Sequence, residues 1–176
     1  PRSTLFPYTT LFRSLFDAVA SVFAQTFDQW ELILLNDGST DGSVEWCRRI
    51  SDPRVRVVDD GRAMGLNIRL NELARLSRGR FLFRMDADDI MHPDRVRRQV
   101  EVLRQCGQNV VVSSNAFSID RDNRILGAKR VEKSTQKTFG FHKRIVHPTV
   151  AAARTWFLGR PYSEAVLYRR AEDAEL

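Results

Sequence analysis

Short apolar runs alternate with amphipathic stretches along this chain, and that alternation restricts its fold more than any other feature. Glu31 to Leu35, Val55 to Val58, Phe81 to Met85 and Val110 to Ser113 are strand-sized. Between them, Ser43 to Ile50, Leu66 to Leu76 and Pro93 to Cys106 carry apolar residues at helical spacing. A further helix precedes the first run, with Leu15, Phe16, Val19, Val22 and Phe23 on one face, and ends near Gln25. Strands alternating with helices predict parallel pairing, hence an α/β fold with a mostly parallel, Rossmann-like sheet flanked by helices. A length of 176 residues suits one domain with its own core.

Ligands of such sheets collect beyond the carboxyl ends of the strands. The two richest polar clusters, Asn36 to Ser43 and Asp86 to Asp89, both follow predicted strands and so belong to one edge of the sheet. Beyond Phe117 the pattern changes: Asp120 to Asn123 reads as a turn, and Lys129 to Phe141 as a long polar loop.

Composition narrows the function. Hydrophobic residues make up 43% and charged residues 28%, ordinary for a globular protein. No apolar run approaches the roughly 20 residues of a membrane span. Cys47 and Cys106 have neither metal-ligand spacing nor the density of a disulfide scaffold, which points to free thiols and a cytoplasmic setting. The formal charge of +6 is spread along the chain without a basic run or a nucleic-acid module, so nucleic acid is not the expected partner. A solvated arginine-rich surface explains the charge, and a peripheral face at a membrane surface is the alternative.

Thr4 to Ser14 resembles, residue for residue, the translation of a sequencing adapter joined in frame to an incomplete gene. Residues 1–14 are accordingly expected to be a non-native leader, and residues 15–176 a partial catalytic domain. Without Arg2 and Arg13 the formal charge falls by two.

Asp86, Asp88 and Asp89 place three carboxylates within four residues, directly after a buried strand. Alternation turns Asp86 and Asp88 the same way. Such crowded charge needs compensation, and hard divalent cations such as Mg²⁺ or Mn²⁺ prefer oxygen ligands of this kind. A solvated acidic turn ahead of the helix at Pro93 is the structural alternative. Asn36 to Ser43 reads either as a strand-to-helix connection capped by Asp41 or Thr40, or as a site where Asp37 accepts a hydrogen bond from a nucleobase or sugar hydroxyl. Glu172 and Asp173 form a late carboxylate pair that could cap a helix or, facing the cleft, act as a general base.

Taken in order, these motifs resemble family 2 glycosyltransferases of the GT-A fold. The resemblance rests on Ser21 to Phe27, Glu31 to Asp41, Gly65, Asn71, Arg78-Gly79, Arg84 to Ile90, His147 to Thr149 and Arg170 to Asp173, and covers almost all of residues 15–176. It implies that Asp37 recognises the nucleotide base, that Asp88 is the principal metal contact with Asp86 near ribose and metal, and that Asp173 is the general base with Glu172 beside it. It also implies an inverting transfer from a nucleotide-diphosphate sugar, of UDP type, to a saccharide or lipid-linked acceptor.

The chain departs from the family pattern in places. Arg69 to Leu73 stands where many members have Ala-Arg-Asn-x-Gly, so Arg69 is a substitute candidate for the diphosphate-side arginine. Asn36 replaces the first of two paired aspartates. The family's opening strand belongs before Leu15, so the sheet is expected to lack a central strand and part of the nucleotide pocket. Two other readings remain: a non-catalytic sugar-nucleotide-binding module, and an aspartyl-phosphate phosphatase with Asp86 as nucleophile.

Overall fold

A computed structural model describes residues 10–131 and 145–164, with side chains from residue 14 onward. Glu172 and Asp173 lie outside the described residues. The first described element is helix α1 (Thr10–Phe23), which reaches five residues ahead of Leu15 because Thr10 to Ser14 contain no proline or glycine to stop it. Then follow β1 (Leu32–Leu35), α2 (Ser43–Cys47), β2 (Val55–Val58), α3 (Leu66–Leu76), β3 (Phe81–Phe83) and α4 (Arg95–Cys106). The remaining elements are β4 (Val111–Val112), β5 (Ala116–Ile119), β6 (Ile125–Lys129), a 3₁₀ turn at His147–Thr149, β7 (Ala151–Ala153) and α5 (Arg154–Gly159).

The fold is α/β as expected, but the pairing is mixed. β1 and β2 are parallel, whereas β7 lies antiparallel between β3 and β4. β7 went unforeseen because its three residues are alanines, which have low strand propensity. Tertiary context overrides that propensity: Ala151 and Ala152 are completely buried, and only small side chains fit where β7 is flanked by two strands and by α4 and α5. Pro93 stands before the N-cap Asp94 rather than in the first turn of α4.

Two apolar clusters cover the sheet. Ala74, Val150, Ala153, Trp156, Phe157 and Tyr162 form one, and Val22, Met91, Val96 and Val100 the other; Phe81 packs against both. No described helix is long and apolar enough to cross a membrane.

β1 and β3 run the same way. At their starts, the Glu31 carboxylate accepts hydrogen bonds from the Arg78 and Gly79 N–H groups; at their ends, Asp37 and Asp86 border one cavity. Yet among the described residues β1 pairs only with β2, and β3 only with β7. Between their facing edges lies a slot of about 450 Å³, lined by Leu32 and Ile33 on one side and Phe81 to Phe83 on the other. Val22 and Val100 border it from one layer, Leu70 and Phe157 from the other. The slot thus separates β1-β2 from β3-β7-β4 among the described residues, at the place where the family resemblance implies a further strand.

Candidate functional site

The loop after β1 is shaped by glycines. Gly38 and Gly42 adopt left-handed φ angles of 86° and 85°, and a Cβ on Gly38 would stand 3.1 Å from the Ala63 Cβ. Asn36 holds the turn from both ends of its amide: Oδ1 accepts the Ser39 N–H at 2.9 Å, and Nδ2 donates to Asp59 at 2.9 Å. Asp41 accepts the N–H and hydroxyl of Ser43, and these bonds, with the hydroxyl foremost, hold its pKa below the ordinary value. The strand-to-helix connection expected here is present and Asn36 is engaged in it, but the N-cap of α2 is Gly42, with no side-chain cap bond, and neither Asp41 nor Thr40 caps the helix.

The Asp37 carboxylate bridges to the loop that opens α3. Oδ1 accepts the Met64 N–H at 2.6 Å and the Arg69 Nε–H at 3.1 Å, and Oδ2 accepts the Gly65 N–H at 3.0 Å. Its side chain remains 38% exposed. A carboxylate has about four acceptor positions, so Oδ2 retains capacity for a donor arriving from the cleft.

Arg69, 5% exposed at its side chain, is saturated. Besides Asp37 it donates to Asp60 at 2.6 Å, to Glu72 at 2.7 Å and to the Arg62 carbonyl at 2.6 Å. Its hydrogen bonds, that to Asp60 foremost, raise its own pKa further, and they depress Asp60 to about 2. The guanidinium is thus fully engaged by Asp37, Asp60, the Arg62 carbonyl and Glu72 of its own helix.

At the end of β3, Arg84 is buried and its guanidinium lies 3.1 Å from Asp86. Asp88 is exposed at the turn, and the half-buried Asp89 has its pKa raised by burial first and then by the charges of Asp86 and Asp88. Beneath the turn, Arg95 donates to the Arg84 and Pro148 carbonyls at 2.8 and 3.1 Å. Burial pushes its pKa down to about 10. The turn thus carries more negative charge than Arg84 offsets, which suits a hard cation held by carboxylate oxygens. Among the described residues no three His, Cys, Asp or Glu side chains gather closely enough to hold a metal alone. A cation at Asp86 and Asp88 would complete its shell with phosphate and water oxygens.

Asp37, Arg69 and Asp86 border one cavity of about 290 Å³, with Leu15, Ala18 and Val19 of α1 across it. Asn36 and Asp88 stand outside that lining. Sequence reasoning missed Asp60, Glu72, Arg84 and Arg95 as supports. A charged residue inside the otherwise apolar run Phe81 to Met85 was the one available signal, and it marks Arg84.

The family model described as "Glycosyl transferase family 2" matches residues 13–165. EpsE of Bacillus subtilis, named as a glycosyltransferase, is 28% identical over 172 residues, covering 93% of this chain and 60% of EpsE. An Escherichia coli protein, the UDP-Glc:alpha-D-GlcNAc-diphosphoundecaprenol beta-1,3-glucosyltransferase WfgD, is 26% identical over 62% of this chain and 43% of its own length. The fold is shared with S. aureus TarS residues 1–349 in complex with UDP, at a TM-score of 0.69 and 16% identity, covering 93% of this chain and 50% of TarS. The chain thus spans 60% or less of each of these three relatives.

Proposed function

The chain belongs to glycosyl transferase family 2, and from that premise we propose that it carries the donor half of an inverting glycosyltransferase acting on a nucleoside-diphosphate sugar of UDP type. The observation that supports this best is the shared cavity of Asp37 and Asp86, which follow the carboxyl ends of β1 and β3. Asp37 offers Oδ2 to an N–H of the base. Asp86, fixed by Arg84, would face the ribose and diphosphate, and Asp88 with Asp86 would hold Mn²⁺ or Mg²⁺. When bound, the cation supplies charge that offsets the leaving diphosphate. Arg69 acts at one remove, by fixing Asp37 and Asp60.

Transfer proceeds by attack of an acceptor hydroxyl on the anomeric carbon. Asp173, with Glu172 beside it, takes the hydroxyl proton; the new C–O bond forms as the bond to diphosphate oxygen breaks, inverting the carbon and releasing nucleoside diphosphate. The acceptor is a saccharide or lipid-linked saccharide, a reading supported by the name of WfgD, and the setting is the cytoplasm at the inner face of the cell membrane. The phosphatase reading is not retained, because β3 follows two strand-helix units instead of opening the sheet.

Turnover tests this. With UDP-sugar donors and saccharide acceptors, Asp173→Asn is expected to abolish transfer while leaving UDP affinity within about threefold. Unchanged transfer refutes the base; UDP binding without any transfer or hydrolysis in the parent protein favours a binding module.

A further inference from the structure

Three polar side chains at the end of α1 reach the segment that follows the acidic turn. Ser21 Oγ accepts the Met91 N–H at 3.0 Å and donates to the Ala18 carbonyl at 2.7 Å. Gln25, just past the end of α1, uses both ends of its amide. Nε2 donates to the His92 carbonyl at 2.9 Å and to the Ser21 carbonyl at 3.1 Å, and Oε1 accepts the Val96 N–H at 3.1 Å. Thr26 donates from its N–H to the Pro93 carbonyl at 2.9 Å and from its hydroxyl to Asp94 at 2.9 Å. Asp94, the N-cap of α4, makes no side-chain cap bond, so the Val96 N–H in the first turn is satisfied by Gln25 instead.

Ser21 and Gln25 are 6% and 8% exposed. Burying an amide is unfavourable unless it is bonded, and a leucine would fill the same space without that demand. Here every bond of the Gln25 amide goes to backbone, and two of them hold the stretch from His92 to Val96. The other end of the turn is held as well: the Arg84 N–H donates to the Val150 carbonyl at 2.8 Å, and the Arg84 carbonyl accepts from Arg95 at 2.8 Å. Between the two anchors lie only Met85 to Ile90, and within them the Asp89 N–H closes on the Asp86 carbonyl at 3.3 Å. Ala18 and Val19 of the same helix line the cavity that Asp37 and Asp86 border.

We propose that Gln25, assisted by Ser21, is a positioning residue for the divalent cation: it pins the far end of the acidic turn and so fixes the spacing of Asp86 and Asp88. The proposal rests on the reading that those two aspartates hold the cation. A turn anchored at both ends samples fewer arrangements of its carboxylates, and that ordering is completed in folding rather than when the cation arrives. Removing the groups that orient metal ligands typically weakens metal binding about 10–100-fold.

Equilibrium dialysis of labelled UDP against increasing Mn²⁺ tests this on the present chain. In Gln25→Leu the Mn²⁺ concentration for half-maximal UDP binding should rise about tenfold or more, with the amount of UDP bound at saturation unchanged. A loss of folded chain would instead lower the amount bound without moving the midpoint. Leu103→Val, which loosens α4 two turns further along without touching these bonds, should leave the midpoint where it is. If Gln25→Leu does not fold, Ser21→Ala replaces it, with a shift of about threefold for the loss of one acceptor. The parent midpoint in a folded variant, or an equal shift in Leu103→Val, overturns the proposal. Failure of the cation reading looks different: the parent itself binds UDP without Mn²⁺, or not at all, and the proposal falls with it.

Discussion

The Arg69 Nε lies 3.1 Å from Asp37 Oδ1, so a buried guanidinium on α3 fixes the carboxylate that ends β1. The same guanidinium holds Asp60 and Glu72, so three carboxylates, of which Asp37 borders the cavity, depend on one cation.

Removing that cation in Arg69→Met should destabilise the fold by about 1–3 kcal/mol in urea unfolding. The lower part of the range for broken ion pairs applies because the three carboxylates are partly exposed and can rehydrate. Arg69→Lys should recover less than half of the loss, since one ammonium cannot reproduce the planar fork. Full recovery by lysine contradicts this account.

Acid should reveal the same cluster. Asp60 titrates at about 2 in the folded chain, below its ordinary value near 4, so its ion pair stabilises the fold above pH 4 and that contribution disappears as pH falls through 2. The melting temperature should therefore drop between pH 4 and 2, and Asp60→Asn should flatten the drop while lowering stability at neutral pH. An identical pH profile in the variant contradicts the assignment.

Gly38→Ala should destabilise more than Gly42→Ala. Both need left-handed backbone, but only at Gly38 does the new methyl meet a neighbour, Ala63, at 3.1 Å. About 1–2 kcal/mol is expected from backbone strain at each, with a further loss at Gly38. Paired denaturation curves for the two variants decide the ordering.

Ala152→Leu should destabilise by about 1–3 kcal/mol or prevent folding, because a completely buried strand residue between β3 and β4 has no room for three added carbons. Unchanged unfolding would mean that β7 is not where the pairing register places it.

Legibility followed periodicity. β1, β2, α3 and α4 were readable because their apolar spacing is regular over several residues, and Asp37 and Asp86 could be assigned to one sheet edge on that basis alone. β7 was not readable: three alanines carry no period, and their strand state depends on flanking strands far away in sequence. The supports were equally hidden. Arg84 and Arg95 look like surface arginines until tertiary structure buries them against Asp86 and the backbone carbonyls. Arg69 was noticed, but its carboxylate partners Asp60 and Glu72 come together only when the loop after β2 meets α3.

The most direct measurement is calorimetric titration of UDP into this chain with and without Mn²⁺. The account expects binding that needs the cation, that disappears in Asp88→Ala, and that weakens at least tenfold in Asp37→Ala. UDP binding that is independent of Mn²⁺ and unchanged by both substitutions would contradict it.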